Sequence, residues 1–145
     1  MSEERIHRRT KASLTIRGDH VDPEAWALYF GLAPASFSRK DEHSITPSGR
    51  PSYWPSPTGR VSFKCRGPDV WAIDAHVNAL RAMLDFPRPD FLARLAREGS
   101  KTELWIYVEN DDGTNPPIYG QVTENFIREI DARFELDVYD ENTTF

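Results

Sequence analysis

Residues 12–26 constrain the fold of this chain more than any other segment, because a strand, a tight turn and a capped helix follow one another there. Apolar and polar side chains alternate along the first part, with Ala12, Leu14 and Ile16 set against Ser13, Thr15 and Arg17. Successive side chains of a strand point to opposite faces, so this alternation predicts a strand with one buried face.

The helix that follows the strand has its own start and stop signals. Gly18 permits the turn. Asp22 is a suitable N-cap, because its carboxylate can accept hydrogen bonds from the free N–H groups of the first turn, and Pro23 fits the first helical position. Gly31 predicts the helix end, after an apolar stripe formed by Trp26, Tyr29 and Phe30.

Two further strands and two helices are predicted in the middle of the chain. Residues 60–66 alternate, with Val61, Phe63 and Cys65 facing the core. A helix capped by Asp74 follows, and its apolar face consists of Val77, Leu80 and Leu84. A short helix capped by Asp90 ends at Gly99, and residues 102–109 form the next strand.

The last predicted elements are a helix and a strand. Thr123 is placed as the N-cap of the helix, and its apolar face is expected to consist of Phe126, Ile127, Ile130 and Phe134. The final strand covers residues 135–139, which alternate again.

A long polar segment at residues 33–59 separates the first helix from the second strand. It is rich in proline, and a loop of this length in a compact domain is either functional or disordered. Its three aromatic residues, Phe37, Tyr53 and Trp54, indicate that part of the segment packs against the domain. Residues 52–54 are predicted to form a short edge strand.

The element order is therefore β-α-loop-β-α-α-β-loop-α-β. Strands in which apolar and polar residues alternate, in place of continuous apolar runs, are typical of a sheet that is covered on one side only. We predict an α+β, two-layer sandwich, with a mixed or antiparallel sheet of four to five strands, helices on one face and a ferredoxin-like character. Strand order stays open. Residues 12–141 are expected to form a single domain, preceded by a flexible basic arm at residues 1–11.

Composition narrows the class of protein. An apolar fraction of 39% with 8 Phe, 5 Tyr and 4 Trp excludes a mainly disordered chain. The net charge of −5 disfavours a general nucleic-acid-binding protein. There is no apolar run long enough to span a bilayer and no signal-peptide pattern at the N-terminus, so we predict a cytoplasmic protein without membrane contact.

The quoted patterns resemble one family. Residues 14–19 with Asp22 and Pro23, the strand around Phe63, and residues 104–107 and 136–139 are similar to the domain of unknown function 4279 family. That family consists of small, mostly bacterial proteins, and the resemblance covers roughly residues 12–140. Its usual central-strand tryptophan is replaced by Phe63. The resemblance implies an α+β domain without an established activity or known catalytic residues; some relatives resemble immunity proteins of bacterial toxin systems by gene context.

No residue pattern predicts catalysis, a metal site or a cofactor. His20 lies between Asp19 and Asp22, but a turn and a helix cap account for both aspartates. Cys65 is the only cysteine, which excludes an intrachain disulfide, and its strand position places it in the core as a small apolar residue. His76 is interpreted as a residue at the boundary of the core. Nucleophile elbow, phosphate-loop, zinc-helix and dinucleotide motifs are all absent from the sequence.

The outward side of the predicted sheet is the candidate binding surface. Its predicted binding residues, together with two aromatics of the 33–59 loop, are Arg17, Lys64, Arg66, Trp105, Tyr107, Tyr139, Tyr53 and Trp54. Cover by the 33–59 loop or a homodimer ranks first, a protein partner second and single-stranded nucleic acid third. We predict a non-enzymatic protein-interaction module, immunity-like in kind, that uses this face. The alternative is a small-molecule-binding domain or enzyme with a cleft between the loop and the sheet.

Overall fold

The computed structural model describes residues 10–45, 50–68, 70, 72–109 and 118–139, with the backbone alone at 43–45, 51–55, 109 and 139. Its main element is a five-stranded mixed sheet in the order β2-β5-β1-β6-β7. The strands are β1 Thr10–Gly18, β2 Ser36–Ser38, β5 Gly59–Cys65, β6 Lys101–Glu109 and β7 Ala132–Tyr139. The α+β class and the mixed sheet agree with the prediction.

Strand β1 lies at the centre of the sheet and pairs antiparallel with both β5 and β6. Strand β7 runs parallel to β6, which requires a crossover connection. Four helices occur among the described residues: α1 Pro23–Phe30, α2 Ile73–Met83, α3 Phe91–Glu98 and α4 Gln121–Glu129. Helix α4 lies between β6 and β7 in sequence and packs on β7.

The unit formed by β1 and α1 has the local structure that its sequence predicts. Ala12, Leu14 and Ile16 are completely buried. The carboxylate of Asp22 accepts hydrogen bonds from the backbone N–H groups of residues 24 and 25 at 3.1 and 3.2 Å. Gly31 ends the helix with a φ of 69°, the left-handed conformation that glycine adopts without a steric cost.

One apolar cluster joins the sheet to the helices. It contains the inward side chains of β1, β5 and β6 and buried residues from all four helices. Six aromatic rings form its centre, with neighbouring rings 5.0 to 6.2 Å apart: Trp26, Phe30, Phe63, Phe86, Phe91 and Phe126. Cys65 is buried in this cluster, as its strand position predicts. That the helices cover one face only stays a prediction.

The proline-rich segment contains more regular structure than expected. Strand β2 pairs with β5 at the edge of the main sheet, while β3 His43–Ile45 and β4 Pro51–Pro55 form a separate two-stranded sheet. The short strand predicted at residues 52–54 is therefore present in β4. The side chains of Tyr53 and Trp54 lie outside the described part of the structure.

The end of the last helix was predicted wrongly. Helix α4 ends at Glu129, and the chain turns at Asp131 with a φ of 49°. Phe134 therefore belongs to β7, where it pairs with Leu104 of β6. Its spacing from Ile130 fits a helix, but its spacing from Leu136 fits a strand equally well. Pairing with β6 decides between the two, and the local pattern contains no information about that pairing.

Two of the predicted helix caps were also wrong. Helix α2 begins at Ile73, and no side chain caps it; the carboxylate of Asp74 instead reaches the start of α4. Helix α4 begins after Gly120, so Thr123 lies inside its first turn. Asp90 does occupy the N-cap position of α3, but its carboxylate accepts a hydrogen bond from the Tyr29 hydroxyl at 2.7 Å. None of the four described helices has both the length and the apolar character needed to cross a bilayer.

Candidate functional site

The face of the sheet opposite the apolar cluster is called the outer face. It is formed by odd-numbered residues of β1, β6 and β7 and by even-numbered residues of β2 and β5, as strand register requires. Across its centre, Thr15 of β1 lies between Ser62 of β5 and Glu103 of β6. At the next outward position of β1 toward its C-terminus, Arg17 lies directly opposite Arg60 of β5. At the next outward position toward its N-terminus, Ser13 lies opposite Trp105 of β6.

The centre of the outer face is polar but buried. The hydroxyls of Thr15 and Ser62 form a hydrogen bond of 2.8 Å. Both residues and Ser13 are buried, although they point away from the apolar cluster. A hydroxyl without a partner is costly to bury, and the bond between Thr15 and Ser62 removes that cost for the pair.

Two arginines meet beside these hydroxyls. Arg17 forms a salt bridge of 3.4 Å with Glu103. The guanidinium of Arg60 donates to the hydroxyls of Ser36 at 3.1 Å and Ser62 at 3.4 Å. Among the described residues, no carboxylate forms a salt bridge with Arg60. Burial and the neighbouring charge of Arg17 lower the pKa of Arg60. Its charge is therefore partly desolvated, and its hydrogen bonds to described residues go to neutral hydroxyls.

Two aromatic side chains lie on the other side of Glu103. The rings of Trp105 and Tyr107 stack at 5.9 Å with an angle of 13° between their planes. The indole N–H of Trp105 donates to Oε1 of Glu103 at 3.0 Å, the same oxygen that accepts from Arg17. Both rings are half-buried. Part of each ring is therefore accessible.

Burial and three neighbouring charges act on the pKa of Tyr107. Burial raises the pKa of Tyr107 most, the negative charges of Asp137 and Glu103 raise it further, and the positive charge of Arg60 lowers it. The register alone would place Tyr107 and Arg60 far apart. Their mutual influence on pKa indicates that these two long side chains reach toward each other across the outer face.

The outer face is positively charged within an acidic chain. Among the outer-face side chains that the structure describes, six are cationic and three are acidic: Lys11, Arg17, Arg60, Lys64, Lys101 and Arg133, against Glu103, Glu135 and Asp137. The whole chain carries a net charge of −5. This face is thus electrostatically distinct from the rest of the molecule and favours an anionic or acidic partner.

The structure brings together some of the predicted binding residues and not others. Arg17, Trp105 and Tyr107 form one network through Glu103 and stacking, and exposed Lys64 lies on the same face. Arg66 follows the last residue of β5 and is exposed. The side chains of three further predicted residues lie outside the described part: Tyr53, Trp54 and Tyr139.

Sequence reasoning missed two residues that matter most to this network, Arg60 and Glu103. The signal for both was available. Arg60 has the same strand parity as Ser62 and Lys64, and Glu103 has the same parity as Trp105 and Tyr107. What the sequence could not supply is the strand order that places Arg60 opposite Arg17.

A second cluster of arginine and aromatic side chains is satisfied internally. The guanidiniums of Arg88 and Arg94 lie 4.6 and 4.7 Å from the ring centre of Tyr29. Arg88 also donates to the backbone carbonyls of Leu84 and Tyr29 at 2.8 and 3.2 Å. These contacts join α1 to the segment before α3, so we interpret this cluster as a structural one.

Cys65 and His76, two side chains of types often used in catalysis, are both buried. Burial raises the pKa of Cys65, which favours the neutral thiol over the reactive thiolate. His76 is buried, with Nε2 2.7 Å from the carbonyl oxygen of Val70 and with no hydrogen-bond partner for Nδ1 among the described residues. Within the described ranges, no group of three His, Cys, Asp or Glu side chains is placed to hold a metal ion.

A search against known protein families, curated proteins and solved structures found no match for this chain.

Proposed function

We propose that the chain is a non-enzymatic protein-interaction module whose outer face binds an acidic segment of a partner protein. The observation that carries this proposal is the network of Arg17, Glu103, Trp105 and Tyr107 beside the half-buried Arg60. Tryptophan, tyrosine and arginine are the residue types that most often dominate the energy of protein interfaces.

The charge of Arg60 indicates the chemistry of the partner. A partly desolvated guanidinium whose partners among the described residues are hydroxyls can gain a charge-assisted bond from a carboxylate. Like charges directly opposite each other on paired strands are unfavourable, and Glu103 bonds only Arg17 of this pair. An aspartate or glutamate of the partner would supply the second negative charge that this arginine pair lacks, and its aliphatic stem can pack on Trp105.

The proposal includes a cytoplasmic location, which accords with a single cysteine that is buried and reduced. An immunity-like role, implied by the resemblance to the domain of unknown function 4279 family, stays a prediction. It would make the acidic partner a toxin domain.

Site-specific photo-crosslinking tests the proposal. A photoreactive residue at exposed Lys64 on the outer face is compared with one at exposed Asn78 on α2, in lysate from the source cells. We expect a defined product only from position 64, reduced about tenfold by Trp105→Ala or Arg60→Gln. The same products from both positions, or products indifferent to both substitutions, would contradict the proposal.

A small anionic ligand is the second candidate, and the neutral partners of Arg60 favour it as well. A cleft formed with the 33–59 loop would involve side chains at 43–45 and 51–55, which lie outside the described part. Thermal unfolding with added inorganic phosphate or citrate tests this candidate. It predicts a rise in Tm that Arg60→Gln abolishes and Arg128→Gln, at an exposed site on α4, does not.

Single-stranded nucleic acid ranks third. Trp105 and Tyr107 stack on each other, so one face of each ring is already occupied. Binding of a single-stranded oligonucleotide at low salt that weakens in Trp105→Ala would favour this candidate over an acidic protein segment.

A further inference from the structure

Among the described strands, β7 is the last one of the main sheet, at the edge next to β6. It pairs with β6 along Ala132–Tyr139, and no described strand lies on its other side. The N–H and C=O groups along such an edge are available to pair with another strand. The eight residues of β7 are enough for a stable strand pairing.

Exposed apolar side chains concentrate at the same edge. Among the side chains that the structure describes, nine large hydrophobic ones are exposed, and five of these belong to β7 or to residues 118–122, with exposed fractions from 39% to 89%: Ile118, Tyr119, Val122, Leu136 and Val138. The ring of Tyr119 lies 4.8 Å from that of Phe134 in β7, which joins the two segments. The remaining four are distributed over α1, β2, α3 and residue 70. A patch of this kind at an open strand edge is typical of an interface.

The outward charges of β7 are self-complementary. Arg133, Glu135 and Asp137 share the outer face, and Arg133 forms a salt bridge with Glu135 of its own strand. If two copies of β7 pair antiparallel about a two-fold axis at Glu135, each Arg133 lies opposite Asp137 of the other copy. On the other side of the sheet, Phe134 lies opposite Leu136, and Ala132 lies opposite Val138.

The neighbouring registers fit less well. An axis at Leu136 places Glu135 opposite Asp137 in both halves, which opposes like charges twice. An axis at Phe134 leaves Val138 opposite residue 130, which lies before the start of β7. The exposed Val138 then stays unpaired. Only the axis at Glu135 pairs both the apolar and the oppositely charged side chains.

We propose that β7 pairs antiparallel with β7 of a second copy of this chain, with Glu135 on the two-fold axis. The resulting dimer has one continuous sheet, and its two outer faces lie side by side. The apolar half of this contact, formed by Leu136 and Val138, lies on the side of the sheet opposite Trp105, whereas its charged half lies on the outer face. Val138→Lys therefore tests the dimer without changing the outer face.

Sedimentation velocity of the full chain tests this proposal. We expect a dimer in the wild-type protein and weakening by about tenfold or more in Val138→Lys, because the substitution places a charge in the apolar part of the edge. Leu28→Lys is the matched control, since Leu28 is exposed on α1 away from β7. Glu135→Gln is expected to strengthen the dimer, because it removes the like-charge pair at the axis and releases Arg133 from its bond within the strand to face Asp137 of the other copy.

A charge exchange makes the test specific to the register. Arg133→Asp and Asp137→Arg should each weaken self-association, because each places like charges opposite one another. Mixing the two variants should restore a dimer of one copy of each. In that mixed dimer the aspartate introduced into one copy faces the arginine introduced into the other, and the unchanged Arg133 faces the unchanged Asp137. Circular dichroism of each variant verifies that it is folded.

A wild-type protein that stays monomeric at its highest soluble concentration would overturn the proposal. So would a dimer that survives both Val138→Lys and the single charge changes. A dimer that Trp105→Ala abolishes and Val138→Lys does not would instead place the self-association on the outer face, and would leave the acidic-partner proposal to its own crosslinking test.

Discussion

The hydroxyl of Thr123 donates a hydrogen bond of 2.6 Å to Oδ1 of Asp74. The same oxygen accepts from the backbone N–H groups of Gly120 at 2.9 Å and Thr123 at 3.3 Å. Asp74 lies in the first turn of α2, yet its carboxylate caps the N-terminus of α4. Free N–H groups at a helix start need acceptors, and here a different helix supplies one. This contact joins α2 to the start of the crossover helix.

We expect Asp74→Asn to destabilise the fold by roughly 1–2 kcal/mol at neutral pH, with a smaller loss in acid. Burial alone would raise the pKa of Asp74, but the hydrogen bonds from Thr123 and Gly120 outweigh it and hold the pKa below its ordinary 3.8. A carboxyl whose pKa is lower in the folded state stabilises the fold above its unfolded pKa. That contribution disappears as pH falls through the folded pKa.

Urea unfolding at about pH 7, 5 and 3 measures this effect. The difference between wild type and Asp74→Asn should be the same at the first two values and shrink at the third. Asp85→Asn is the control, because Asp85 is exposed and its φ of 58° is one that asparagine also adopts. If wild type and Asp74→Asn differ in their free energy of unfolding by the same amount at all three pH values, the charge of the Asp74 carboxylate is not the cause of the difference.

The second prediction concerns Glu98, which satisfies the indole of Trp26. The indole N–H donates to Oε1 of Glu98 at 2.9 Å, and Trp26 is only 1% exposed. Glu98→Ala leaves this buried donor without its partner, so we expect a loss of about 1–3 kcal/mol in the free energy of unfolding. Glu98→Gln should lose less, because its amide oxygen can still accept.

Equilibrium unfolding followed by tryptophan fluorescence measures the loss. Arg97→Ala is the matched control, since Arg97 is the exposed neighbour of Glu98 on the same helix. Equal effects of Glu98→Ala and Arg97→Ala would mean that the helix, and not the bond to Trp26, determines the change.

A third prediction addresses the buried hydroxyl pair of the outer face. Thr15→Val or Ser62→Ala alone leaves one hydroxyl without its 2.8 Å partner, so each should cost about 1–2 kcal/mol. The double variant removes both polar groups, and its cost should fall short of the sum by roughly 0.5–1.5 kcal/mol. Ser13→Ala is the control, because the Ser13 hydroxyl makes no hydrogen bond to a described residue. Strict additivity in urea unfolding would contradict a direct interaction between Thr15 and Ser62.

Local patterns predicted the elements whose signals lie within a few residues. The alternation along residues 12–17 and 102–109, the Asp22 cap and the two glycines that end α1 and α3 are all present. Each depends on neighbours in the sequence, so the sequence alone contains the necessary information.

The contacts that were missed join residues far apart in sequence. Asp74 and Thr123 are separated by 49 positions, and a cap by a different helix has no local signature. The outer face was predicted by strand parity, but its central network depends on Arg60 lying opposite Arg17. Strand order decides that juxtaposition, and parity contains no information about strand order.

The last prediction uses the titration of Tyr107 to test the geometry of the outer face. Its pKa lies above the ordinary 10.0, first because of burial and then because of the negative charges of Asp137 and Glu103, while Arg60 acts in the opposite direction. Arg60→Gln should therefore raise the pKa of Tyr107 further, and Asp137→Asn should lower it.

Ultraviolet difference spectroscopy of the phenolate measures this pKa, and Tyr107→Phe identifies the signal. The sign of the stability change follows from the same shift. Because the folded protein holds the Tyr107 proton more tightly than the unfolded chain, its stability should fall as pH rises from 10.0 toward the folded pKa, and Tyr107→Phe should remove that part of the decline. Unchanged titration in both charge variants would mean that Arg60 and Asp137 do not face the Tyr107 ring.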